Sequence, residues 1–118
     1  MSRRPLFALP LLVLPLVAAI FTGSALAQSC DTSFKLQNSS GATINEFYYN
    51  PANNSNWGPD RLGEGVLNAG RSRSWATARG GNYDFRVVWD NGSSAEIRQI
   101  DICATSTIIA SRGSLTAE

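Results

Sequence analysis

The chain has 118 residues, 43% of them hydrophobic and 16% charged, with a formal net charge of +1. It contains no histidine, which excludes Ser-His-Asp and Cys-His catalysis and removes the commonest transition-metal ligand. Charge this close to balance gives no electrostatic ground for a nucleic-acid or anionic-membrane partner, and the single lysine, Lys35, leaves no polybasic tract.

The first segment reads as an export signal. Arg3 and Arg4 precede an apolar run over residues 6–21, and Ala25, Leu26 and Ala27 form a small-x-small cleavage site. Residues 1–27 are therefore expected to be a signal peptide, leaving 28–118 as one mature domain. An uncut anchor is the alternative, opposed by the shortness of the run and by Pro10 and Pro15 within it. The arginine pair fits either general secretion or a twin-arginine route. Both routes, with an arginine-rich and lysine-poor composition, suggest a bacterial protein. Ten basic residues less Arg3 and Arg4 leave eight against nine acidic ones, so the mature part carries −1.

Beyond the leader, turn signals recur at short intervals and no helical period is sustained. Residues 34–37 alternate apolar and polar, and Asn38, Ser39, Ser40 and Gly41 read as a turn. Residues 43–49 are β-branched and aromatic, as in a strand. Segment 50–67, rich in Asn, Gly and Pro with Trp57 in its middle, reads as a long loop. Residues 71–77 predict a strand with one polar edge. Tyr83, Phe85, Val87 and Trp89 then fall on one face at period two. Asp90, Asn91, Gly92 and Ser93 follow, and Asn-Gly suits the positive φ of a tight hairpin turn. The return strand spans about 95–103, with a phase shift that predicts a bulge near Arg98 and Gln99. A last strand is expected over 105–110, with a frayed tail after Arg112. Six or seven short strands predict an all-β fold, a small antiparallel β-sandwich or barrel.

Cys30 and Cys103 are the two cysteines. An even count in a small exported domain reads as a disulfide, here closing a loop of roughly seventy residues, which is an entropic contribution of about 4 kcal/mol. Two readings compete with it. Cys30 follows the apolar run as a lipid-anchor cysteine would, although the residues before it make a poor lipobox. A redox pair is the other, opposed by the lack of C-x-x-C spacing.

Trp57-Gly58-Pro59-Asp60-Arg61-Leu62-Gly63, Leu67 with Gly70, Tyr83-Asp84-Phe85-Arg86, Asp90-Asn91-Gly92 and Ile100-Asp101-Ile102-Cys103 follow one another in a pattern. It resembles that of a group of short exported bacterial proteins, roughly WG-x-D-x-LG, L-x-x-G, YD-x-R, DG and V-D-L-C. The likeness spans about residues 34–109. It implies an exported small domain and brings no activity with it. An argininosuccinate lyase label, attached to some similar chains, finds no support in a chain this short and without histidine. Many of the similar chains carry a cysteine just before the Tyr-Asp pair, where Gly81 and Asn82 stand here, so the partner of Cys103 does not carry over from the group.

Four sets of residues can carry chemistry. Trp57, Asp60, Arg61 and Glu64 share the long loop. There Trp57 either stacks on a sugar ring or a partner's apolar group, or folds back as a lid that plugs one end of the sandwich. Asp84 and Arg86 lie opposite the apolar face of their strand, where they can pair across the sheet or orient the long loop. Asp90, Asn91 and Ser93 weakly resemble βγ-crystallin-type calcium loops, although a hairpin turn uses the same residues. Arg71, Arg73 and Arg79 form either an anion-holding patch or a solvated edge that guards against aggregation. The expectation is a periplasmic or extracellular, non-enzymatic, monomeric binding module without a cofactor. Its ligand, a protein or a carbohydrate, would meet loop 50–67 and the adjacent strand ends. The alternatives are a calcium-stabilised structural domain and a small hydrolase using Asp60 and Glu64 as paired carboxylates.

Overall fold

The computed structural model describes residues 30–118, so the predicted leader and its cleavage site lie outside the described residues. Seven strands follow one another: β1 (Ser33–Asn38), β2 (Ile44–Pro51), β3 (Ser72–Ala76), β4 (Asn82–Trp89), β5 (Ser94–Asp101), β6 (Thr107–Ser111) and β7 (Ser114–Ala117). A short 3-10 helix, Ile102–Ala104, sits between β5 and β6. Two sheets form, one of four strands in the order β3-β1-β6-β7 and one of three in the order β2-β4-β5. The all-β sandwich expected from the alternation is the fold. One pair departs from the antiparallel rule: β1 and β6 run parallel, because the chain crosses to the other sheet and back between them.

The period-two apolar residues build the core. Phe34 and Leu36 from β1, Phe47 and Tyr49 from β2, Phe85 and Val87 from β4, and Ile108 from β6 are all buried in one cluster. Phe34 is its hub, edge-on to Tyr49 at 5.1 Å and to Phe85 at 5.3 Å between ring centroids. Such contacts add to the area buried, because ring edges and faces carry opposite partial charge.

Three local features differ from the sequence reading. The tail beyond Arg112 forms β7, whose Leu115 is buried against the core and whose Glu118 backbone bonds to Thr107 in both directions. The hairpin turn is not one with two positive φ values. Gly92 (φ 87°) alone takes that conformation, Gly92 N–H donates to Trp89 O, and Trp89 N–H donates to Ser93 O. That is a three-residue loop closed by a glycine bulge. The 95–103 strand stops at Asp101, whose carboxylate accepts from Cys103 N–H and opens the 3-10 turn. The bulge predicted near Arg98 is present: Phe85 pairs with Ile97 and Tyr83 with Ile100, so Arg98 and Gln99 together oppose Asp84.

Cys30 and Cys103 are joined by a disulfide, with Cα atoms 5.5 Å apart. The bond fastens the entry to β1, in one sheet, to the exit from β5, in the other. Disulfides persist in oxidising compartments, so the bond points away from the cytosol. Among the described residues no helix is long and apolar enough to cross a membrane. Gly80 packs against the bridge so closely that a Cβ there would lie 2.6 Å from Cys103 Sγ and 3.3 Å from Cys30 Sγ.

Candidate functional site

The long loop does two separate jobs. Its second half covers the free edge of β2. Ile44 and Leu67 exchange backbone hydrogen bonds, Asp60 Oδ1 accepts from Phe47 N–H at 3.0 Å, and Arg61 N–H donates to Phe47 O at 2.6 Å. Arg61 Nη2 donates to Tyr49 O, and its guanidinium lies 4.1 Å from the Tyr49 ring centroid. Asp60 Oδ1 also accepts from Leu62 N–H, which turns the chain so that Leu62 is buried. A sheet edge with unpaired backbone invites aggregation, and here the Asp60-Arg61 pair closes it. Both residues thus hold structure. Glu64 is exposed, and Asp60 is engaged by the N–H groups of Phe47 and Leu62.

The first half of the loop is a run of side-chain turns. Asn54 Oδ1 accepts from Asn56 N–H and Asn56 Oδ1 from Gly58 N–H, while Asn50 donates to Asn56 O. These turns carry Trp57 onto the outer face of the three-stranded sheet, outside the core cluster. Its ring lies 6.4 Å from that of Tyr48, tilted by 50°, and the Arg98 guanidinium sits 4.9 Å from its centroid. Leu62 and Leu67, not Trp57, complete the core on this side.

Asp84 and Arg86 reach the same outer face, but each pairs with β5 and not with the other. Arg86 Nη1 meets Glu96 Oε2 at 2.8 Å. Arg98 bridges Glu96 at 2.5 Å and Asp84 at 3.1 Å. Asp84 is buried, and its Oδ1 also accepts from Gln99 N–H, at the bulge where Gln99 adopts a left-handed φ of 60°. The bulge therefore aims Arg98 back across the sheet at Trp57. The result is a row, Arg86–Glu96–Arg98–Asp84, with Trp57 and Tyr48 beside it. The Arg98 guanidinium, then Arg86, holds the Glu96 carboxyl below the usual carboxylate range, and Glu96 in turn raises Arg98. Tyr48 donates to Glu46, which with partial burial pushes the phenol up to about 12.

A carboxyl lowered on folding stabilises above its unfolded pKa of about 4.3 and loses that contribution as pH falls through its folded value. Acidification should therefore release Arg98 from Glu96 and change the emission of Trp57, with little effect on stability for so exposed a pair. A fluorescence titration of Glu96→Gln should lack that acid step.

The turn residues Asp90, Asn91 and Ser93 are exposed, and Asn91 Oδ1 is taken by Ser93 N–H and Oγ–H. Among the described residues no three acidic, histidine or cysteine side chains gather where they could hold a metal. Sequence reasoning missed Tyr48, Glu96 and Arg98. The signal for Arg98 was the phase shift itself, which marked a bulge without saying where its side chain would point. No protein-family model, no curated protein and no solved structure matches the chain.

Proposed function

We propose that the chain is an exported, non-enzymatic, monomeric binding module that works in the periplasm or outside the cell. Its contact surface is the outer face of the three-stranded sheet around Trp57. The observation that carries this reading is the position of Trp57, which is half-buried on a face where the core has no need of it. A large aromatic held in place by a fixed guanidinium and a second ring is preorganised for stacking, at little entropic cost on binding. The flanking Arg86–Glu96–Arg98 row offers donors and acceptors in alternation, which suits the hydroxyls of a carbohydrate or the polar rim of a protein contact.

The test uses the oxidised mature protein with insoluble peptidoglycan, chitin and cellulose in co-sedimentation. Retention of at least one of them should fall about tenfold or more in Trp57→Ala, while the variant unfolds within about 1 kcal/mol of wild type. For a protein ligand, a photo-crosslinking residue at position 57 should capture one discrete envelope protein, and the same probe at Glu64 should not. Collapse of the fold in Trp57→Ala would make the ring a structural cover and remove the basis of the proposal.

A further inference from the structure

The two sheets expose different edges on the side that carries the long loop. The β2 edge is closed by Asp60, Arg61 and Leu67, as described above. Among the described residues nothing closes the β3 edge. Thr77 N–H donates to Thr32 O and Asn38 N–H to Arg71 O, which sets the pairing phase of β1 against β3. In that phase Arg73 and Trp75 bond inward to β1, while the backbone N–H and C=O groups of Ser72, Ser74 and Ala76 point out of the sheet. Among the described residues β3 pairs with β1 alone. Its residues are exposed except Trp75, which is half-buried against Phe34 and Phe47.

The charge along this edge has one sign. Segment 71–79 contains Arg71, Arg73 and Arg79 and no acidic residue. Among the described residues the ion pairs involve Arg86 and Arg98, and none involves these three. Arg71, Arg73 and Trp75 share one strand face, with the Arg73 guanidinium 5.1 Å from the Trp75 ring centroid. Beside the start of β3, Val66, half exposed, lines an open hollow of about 490 Å³ with Arg71 and Arg73.

We propose that the free edge of β3 takes up an extended acidic peptide of a partner protein as an added strand. The backbone of Ser72, Ser74 and Ala76 supplies the ladder, and the side chains set the sequence. An antiparallel peptide places an apolar residue beside Trp75, then acidic residues at alternate positions beside Arg73 and Arg71, with small polar residues between. Its end reaches the hollow under Val66. A second copy of this chain is a poor occupant, because its β3 would bring arginines toward arginines with no carboxylate among them. This surface lies on the other sheet from Trp57, so the proposal stands or falls separately from the one above.

The test is titration of the oxidised mature protein with a capped peptide of sequence Ser-Leu-Ser-Glu-Ser-Glu-Ser, against the same peptide with lysine for glutamate. The glutamate peptide should bind at low salt and the lysine peptide should not. Ser74→Pro removes one outward donor and leaves the bonds to β1 intact, since proline is tolerated on edge strands. It should weaken binding about tenfold. Arg71→Gln with Arg73→Gln should weaken it by a similar factor at low salt and by little at high salt. Amide exchange of the wild type reads the same contact without a variant: the peptide should slow Ser72, Ser74 and Ala76 and leave Arg73 and Trp75 unchanged. Unaltered exchange at those three amides overturns the proposal, whatever Ser74→Pro does. So does equal binding of polygalacturonate without that protection, which would make the edge a site for anionic glycans.

Discussion

Replacing Cys30 and Cys103 together by serine should lower the free energy of unfolding by about 4 kcal/mol. The bridge spans a sequence separation of 73, and the chain-entropy relation assigns that loop about 4 kcal/mol at room temperature. A domain of this size holds roughly 5–15 kcal/mol in all, so the double variant should be partly unfolded at physiological temperature. Position adds to the loop term. The bridge joins the lead-in to β1 to the turn after β5, and so fixes the two sheets to each other at one end of the core. Urea unfolding followed by tryptophan emission measures the loss directly. The reduced wild type should match the serine variant, while the slope of the transition reports any change in the compactness of the denatured chain. A loss under about 1 kcal/mol would mean that sheet packing alone sets the register of the sandwich.

The core strands were legible because burial writes its period into the sequence. Tyr83, Phe85, Val87 and Trp89 alternate, and so do Phe34 and Leu36, so their inward faces could be read without any structure. The bulge was legible for the same reason: an extra residue shifts the phase, and Ile97 and Ile100 show the shift. β7 was not, because Ser114 to Ala117 holds one large apolar residue. That is too little for a periodicity argument, although Leu115 is enough to seat the strand once β6 is in place. The site was half legible. Trp57 stood out by composition, and Asp60 and Arg61 by their motif. Only the fold separates the residue that faces outward from the two that close a sheet edge. The pairing of Asp84 with Arg98 across a bulge depends on strand register, which is a property of two segments and not of either one. The arginines of β3 were visible as a patch, but whether their edge was open depended on where the long loop came to rest.

Asn38 shows the same limit most sharply, and it carries the second large effect. In sequence it opens a turn, a setting in which asparagine is commonplace. In the structure it is fully buried at the end of β1. Its Nδ2 donates to Ala42 O at 2.7 Å and to Leu67 O at 2.9 Å, and its Oδ1 accepts from Ser40 N–H and Oγ–H. Ser40 Oγ in turn accepts from the indole N–H of Trp89 at 2.8 Å. One amide thus ties the end of β1, the turn before β2, the close of the long loop and the last core residue of β4. Asn38→Ala should cost about 3 kcal/mol, since it leaves buried polar groups short of partners and opens a cavity. Ser40→Ala should cost about 1–2 kcal/mol and alter the Trp89 emission. The two losses should fall short of additivity by about 1 kcal/mol, because the groups form one network. Additive losses would mean that Asn38 and Ser40 hold their neighbours separately.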